Sequence, residues 1–248
     1  MSAEKTEALV IRLADFSESS RVVTLFTKDF GKISCLAKGA KRLRSAFEVS
    51  LDLLSQCQIV FLQKSSGTLD LLTESKLVKR FQPSPGSLSH LYAGYYLAEL
   101  LSALTEEGDP HPELYQQAVR TLAALELSIS VAEPVSRFEL SVLREIGQIP
   151  DFESCTICQS EISSGESARF WVSQSGLICS KCGHSEYQTA EFHPESLQII
   201  RQLANDEEND TFSAEWNPRQ KKEIRQLLGS AITHTLGKRP KTLSLLKF

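Results

Sequence analysis

The chain has 248 residues, 41% hydrophobic and 23% charged, with a formal net charge of −4. That length supports one large domain or two to three small ones. No stretch approaches the ~18 apolar residues of a membrane span, so no transmembrane helix is expected. The opening Met1-Ser-Ala-Glu-Lys-Thr-Glu lacks the basic-then-apolar order of a secretory signal, which makes a cytosolic location the expectation. Charge is uneven along the chain: +4 over residues 1–81, −6 over 82–150, −9 over 151–218 and +7 over 219–248. A mildly acidic protein with basic ends can still meet a polyanion, because the local field counts at short range.

Residues 5–81 read as short strands. Glu7-Ala-Leu-Val-Ile-Arg-Leu is a first apolar run. Arg21-Val-Val-Thr-Leu-Phe-Thr and Lys32-Ile-Ser-Cys-Leu-Ala flank the turn Lys28-Asp-Phe-Gly31, and together they predict a hairpin. A basic loop, Lys38-Gly-Ala-Lys-Arg-Leu-Arg-Ser45, comes next. Leu51 to Leu62 reads as a strand region, Ser65-Ser-Gly67 as a turn and Leu69 to Val78 as the last strand. About five strands with no room for a crossover helix predict a small antiparallel barrel of the OB type, an architecture that often binds single-stranded nucleic acid. Cys35 and Cys57, inside apolar runs, are expected as core thiols.

After Pro83-Ser-Pro-Gly86 the period becomes helical. Leu88, Leu91, Tyr92, Tyr95, Tyr96, Leu100, Leu101 and Leu104 mark a first helix, ended by Gly108-Asp-Pro110. Pro112 opens a second. A third runs from about Ala132 to Gly147. His193-Pro194 leads into a fourth, Asn205 to Asp210 is a polar loop, and Asn217-Pro218 suit the N-cap and first turn of a fifth that ends near Gly237. The expected organisation is an OB-fold over 1–81, a helical domain over 82–150, a ribbon over 151–190 and the rest of the helical domain over 191–248.

The strongest motif lies in that ribbon. Cys155 and Cys158 form one C-x-x-C pair, Cys179 and Cys182 another, and twenty residues separate them. Two such knuckles supply the four corners that tetrahedral zinc requires. Four thiolates leave no position open for water, so one structural Zn2+ is expected rather than a catalytic one. His184 lies close by but is expected at the surface.

Two basic patches stand apart from the ribbon. Lys38, Lys41, Arg42 and Arg44 fall in one loop, with Arg21 and Lys32 on the neighbouring hairpin; Phe16, Phe26, Phe30 and Phe47 are the aromatic candidates to stack on bases, each expected in the core before a stacking surface. The loop has no evident acidic counterpart on its flanks. The second patch comprises Arg219, Lys221, Lys222 and Arg225 at the start of the last helix and Lys238, Arg239 and Lys241 after it. A solvated face is the alternative for each. Arg137, before Phe138-Glu-Leu on an amphipathic helix, could receive a peptide carboxylate or simply pair with Glu133. No phosphate loop, G-x-S-x-G or H-E-x-x-H motif is present, and the five histidines form no acid/base set.

Taken in order, Glu7-Ala-Leu-Val-Ile-Arg, Ser20-Arg-Val-Val-Thr-Leu-Phe-Thr, Gly31-Lys-Ile-Ser, Ala37-Lys-Gly-Ala-Lys-Arg, Tyr95-Tyr-Leu-Ala-Glu-Leu, Arg137-Phe-Glu-Leu, the two knuckles and Leu236-Gly-Lys-Arg-Pro-Lys resemble the bacterial RecO family of recombination mediators. The resemblance implies an α+β multi-domain chain, an N-terminal five-stranded OB-like barrel followed by an α-helical domain that a four-cysteine zinc ribbon interrupts. It also implies a non-enzymatic role in DNA repair and recombination after DNA damage. That role is to bind single- and double-stranded DNA, anneal strands, and with RecR help load RecA onto DNA coated by single-stranded-DNA-binding protein (SSB). In that family the helical domain takes the C-terminal tail of SSB, and Arg137 matches a cation of the segment concerned. A cytoplasmic, nucleoid-associated location follows. The alternatives are an accessory domain of a nucleic-acid-modifying enzyme, against which the missing carboxylate cluster counts, and a pure protein adaptor.

Overall fold

The computed structural model describes residues 2–64, 69–83, 87–183, 191–205 and 215–246. The expected turn at Ser65–Gly67, the Ser84–Gly86 part of the break, His184 and most of the Asn205–Asp210 loop lie outside them. The chain divides into two compact units, Met1–Leu127 and Ser128–Phe248.

The first unit is built on five strands: β1 (Ser2–Asp15), β2 (Arg21–Thr27), β3 (Gly31–Ala37), β4 (Gln56–Gln63) and β5 (Asp70–Lys79). They close into a barrel in the order β1-β2-β3-β5-β4. Alternation drives this: along β3, residues 31, 33, 35 and 37 point inward while their neighbours are half-buried. The interior is filled by Ala8, Val10, Val23, Leu25, Ile33, Cys35, Cys57, Ile59, Phe61 and Leu72. Both expected core thiols are fully buried, and burial pushes the Cys35 thiol up to about 12.

Two expectations need correction. The barrel is not wholly antiparallel, because closure runs through a parallel pairing of β3 with β5, Cys35 opposite Asp70 and Ala37 opposite Leu72. The Leu51–Leu62 run is not all strand. Leu51 and Leu54 are buried from a turn, Leu54 with φ +65° and its N–H donating to the Val10 carbonyl at 2.8 Å, and β4 begins only at Gln56. An apolar run records burial, and here a turn buries as well as a strand does.

Helices α1 (Leu88–Leu104) and α2 (Pro112–Leu127) belong to the same unit as the barrel. Lys32 on β3 ties α1 down, its ammonium donating to the Ser102 carbonyl at 2.7 Å and to the Thr105 carbonyl at 2.5 Å. A cation at a helix C-terminus satisfies carbonyls that have no partner within the helix and complements the dipole. The loop after α1 then pairs with β3: the Gly108 N–H donates to the Lys32 carbonyl and the Ser34 hydroxyl to Glu107. Gly31 makes this approach possible. Its φ is +65°, and a Cβ there would sit 2.0 Å from the Asp109 carbonyl oxygen. Gly31→Ala is therefore expected to cost about 3 kcal/mol in chemical denaturation. Gly108→Ala, at φ +75° with nothing within 4 Å of the added methyl, should cost only the conformational part, about 1 kcal/mol.

The second unit holds α3 (Ala132–Glu145), the strands β6 (Asp151–Cys155), β7 (Ala168–Trp171), β8 (Gly176–Cys179) and β9 (Glu191–Phe192), and helices α4 (Pro194–Asn205) and α5 (Pro218–Leu236). The four strands form one sheet in the order β6-β8-β7-β9. Arg201 of α4 anchors the sheet, donating to the carbonyls of Phe152 at 2.8 Å and Ile162 at 2.7 Å. Asn217 caps α5, accepting from the Gln220 N–H while the Gln220 side chain accepts from the Asn217 N–H. Between α3 and α5, the fully buried Glu139 takes a two-pronged contact from Arg225, at 2.8 and 2.6 Å.

Candidate nucleic-acid interface and metal centre

The metal centre follows from strand ends. β6 stops at Cys155 and β8 at Cys179, and β6 and β8 lie parallel, so the two knuckles come out side by side. Each knuckle is a tight turn: the Gln159 N–H donates to the Cys155 carbonyl at 2.8 Å and the Cys182 N–H to the Cys179 carbonyl at 3.1 Å. All four sulfurs lie within 4.8 Å of one another, and Cys158 Sγ is 3.8 Å from Cys179 Sγ. Tetrahedral zinc with sulfur at about 2.3 Å separates its ligands by about 3.8 Å, so the donor set fits such an ion. The electrostatics agree. The Ser160 hydroxyl pulls the Cys158 thiol down to about 6, while its hydrogen bond with Cys158 pushes the Cys182 thiol up to about 12. Crowded thiols resist a full set of negative charges, and a divalent cation removes that penalty.

At the barrel, the turn between β1 and β2 and the basic loop after β3 are stitched together. The Lys41 N–H donates to the Ser19 carbonyl at 3.0 Å, and the Gly39 N–H to the Ser20 hydroxyl at 3.3 Å. This gathers Arg21, Lys38, Lys41, Arg42 and Arg44 at one end, with Lys38, Lys41, Arg42 and Arg44 exposed. It also supplies the acidic counterpart that the flanking sequence does not show. Asp15 lies opposite Arg21 in the β1–β2 register and receives the Lys41 ammonium at 2.9 Å and Arg21 Nε at 3.3 Å. The hydrogen bond from Lys41, then the charges of Lys41 and Arg21, hold the Asp15 carboxyl below its usual range. The cluster keeps an excess of positive charge. Lys32 takes no part in it, being held by α1.

The four aromatic candidates separate by burial. Phe26 and Phe47 are core residues, and Phe30 packs edge-on to Phe61 with ring centres 5.4 Å apart. Phe16, in the β1–β2 turn beside Lys41 and Arg21, is 60% exposed. Leu43, which the sequence did not single out, is 94% exposed in the middle of the basic loop. Its only signal was an apolar residue between two arginines with no periodic partner.

The cations of the second unit divide in the same way. Arg225 is committed to Glu139, and Arg219 meets Glu195 at 2.6 Å, so these two have internal partners where the sequence suggested an external one. Lys238, Arg239 and Lys241 are exposed beyond the left-handed cap at Gly237. Arg239 lines a groove of about 990 Å³ along α5 together with Lys221 and Lys222. Arg137 donates to Glu133 Oε1 from both Nε and Nη2 at 3.1 Å, on the edge of a groove of about 820 Å³ that also includes Gln198, Leu203 and Trp216. The ion pair anticipated as an alternative at Arg137 is thus present.

Both parts of the chain match models of a single protein family. Residues 1–81 match the family described as recombination protein O, N terminal, and residues 85–244 match recombination protein O, C terminal. A protein of Rhodopirellula baltica named DNA repair protein RecO is 42% identical over 202 residues, covering 81% of this chain and 75% of its own length. Proteins of the same name from Anaeromyxobacter dehalogenans and Myxococcus xanthus are 29% and 28% identical. The first covers 96% of this chain and 94% of its own length, the second 97% and 95%.

Proposed function

Since the chain belongs to the RecO family and shares its role in DNA repair and recombination, we propose that it is a non-enzymatic DNA-binding mediator whose barrel end holds phosphates. The observation that carries this reading is the gathering of Arg21, Lys38, Lys41, Arg42 and Arg44 at one end of the barrel, where the β1–β2 turn also exposes Phe16. Cations follow a phosphate backbone, and an exposed ring offers a base a stacking surface without regard to sequence. The protein binds single- and double-stranded DNA in this reading and anneals complementary strands by screening their charge. Lys238, Arg239 and Lys241 hold further phosphates. The role of Lys32 is to fix α1 against the barrel, not to meet DNA.

In the same reading the protein acts with RecR to load RecA where SSB coats the strand. Arg137 receives the carboxylate end of the SSB tail in the groove beside Leu203 and Trp216, with Glu133 as the internal carboxylate that the tail replaces. The ion at Cys155, Cys158, Cys179 and Cys182 is one structural zinc, and no step of the function runs through it. The location is the bacterial cytoplasm, on the nucleoid.

The test is single-stranded DNA affinity against salt, for the wild type and for Lys41→Glu/Arg42→Glu. Each phosphate contact contributes roughly 0.7 to the slope of log K against log salt. The double variant is expected to bind about tenfold or more weakly near 0.1 M salt, with a slope flatter by about 1.4. A wild-type slope near zero, or a double variant that binds as well as the wild type, would refute the interface.

A further inference from the structure

We propose that Leu43 is a wedge that enters the base stack where single-stranded DNA joins a duplex, so that the protein recognises the junction as well as the backbone. This rests on the reading that the basic loop meets DNA. Leu43 is 94% exposed, while the residues that anchor its loop on either side, Ala40 and Phe47, belong to the barrel core at 9% and 6%. The tip is thus held out from a fixed base. The Arg42 N–H donates to the Gly39 carbonyl at 3.0 Å, the Ser45 N–H to the Arg42 carbonyl at 3.1 Å, and Lys41 is bonded to Ser19.

The second of these hydrogen bonds closes a four-residue turn from Arg42 to Ser45 with Leu43 and Arg44 at its centre. Arg44 has φ +60°. A turn with its third residue left-handed favours glycine or asparagine there. Here that position carries a long cation, and the position before it carries a large apolar side chain aimed at solvent. Neither choice is explained by the turn itself.

Charge complementarity identifies the occupant. Arg42 and Arg44 flank the leucine, both exposed, and Lys38 is exposed on the approach. An apolar tip between two cations matches an apolar step between two phosphates, which is what a base stack at a junction presents. Leucine is among the side chains that unstack base steps in this way, and unstacking is cheapest where pairing already ends. Phe16, exposed on the turn stitched to the loop through Lys41, offers an aromatic surface at the same end of the barrel.

The experiment uses the full chain and a partial duplex carrying 2-aminopurine at the junction, with oligo-dT as the single-stranded control. Wild type is expected to raise the 2-aminopurine emission several-fold on binding. Leu43→Ala should lose most of that rise while its affinity for oligo-dT changes less than twofold, and Leu43→Phe should restore it. At 94% exposure the substitution leaves the fold intact, and circular dichroism of the variant verifies this. An undiminished rise in Leu43→Ala overturns the wedge and leaves backbone binding standing, as it would if the tip instead served a protein partner. Failure of the wild type to bind oligo-dT overturns the interface and the wedge together.

Discussion

Glu139→Ala is expected to destabilise the second unit by about 3–5 kcal/mol, the range for removing one partner of a buried ion pair. Glu139 is fully buried, and the side chain of Arg225 facing it is 16% exposed. Taking away the carboxylate removes the acceptor of two guanidinium N–H groups where α3 meets α5. The cost then comes largely from losing the acceptor on one side of a buried pair and less from the net worth of the pair. That distinction is testable. Glu139→Met/Arg225→Leu removes both charges and keeps the volume, and it should recover most or all of the lost stability. Denaturant midpoints of the two single variants and the double variant give the coupling directly. A double variant as unstable as Glu139→Ala would mean that the pair itself, with its fixed geometry, holds the helices together.

The second large effect concerns the metal. The wild type should retain one zinc per chain after extensive dialysis, and Cys179→Ser should retain none. Cys179 closes β8, pairs with Ala168 across the hairpin, and donates its N–H towards Cys155 Sγ at 3.4 Å. Losing the ion should expose the amides of β6, β7 and β8 to hydrogen exchange while the barrel amides stay protected, because the metal-binding energy of such a site is folding energy. Acid should act in the same direction, since protons compete with the ion for the same sulfurs. A metal-free protein whose ribbon amides are as protected as in the wild type would contradict a structural role for the site. DNA affinity is expected to change little, which separates the site from the interface.

Much of this organisation was legible because it is local. The two C-x-x-C pairs mark the cluster by spacing alone, and the structure adds that parallel strands bring the four sulfurs within 4.8 Å of one another. Strand alternation in β2 and β3, the Asn217-Pro218 cap and the left-handed stop at Gly237 are likewise written within a few residues of where they act. The Leu51–Leu54 turn was misread because an apolar run reports burial and carries no record of the backbone that achieves it.

The cations were the least legible part. Six of them in and around the basic loop look alike in sequence: Arg21, Lys32, Lys38, Lys41, Arg42 and Arg44. Folding gives Lys32 to the carbonyls of α1, gives Arg21 and Lys41 a shared, exposed carboxylate, and leaves Lys38, Lys41, Arg42 and Arg44 on the surface. Arg219 and Arg225 were equally indistinguishable from Lys222 until α3 and α4 brought their carboxylates to them.

By itself, then, the sequence determined most of the barrel strands, the helices, the four-cysteine cluster and the family, because periodicity, capping and cysteine spacing act over a few residues and leave a readable pattern. Only the tertiary structure decided which charges are spent inside the protein and which face solvent. A charge is neutralised by whatever lies within a few ångströms, and for Lys32, Arg137 and Arg225 that neighbour is set by how helices and strands pack, over separations from one helical turn to 86 residues. The same packing buried Phe26 and Phe47 and left Phe16 and Leu43 in solvent.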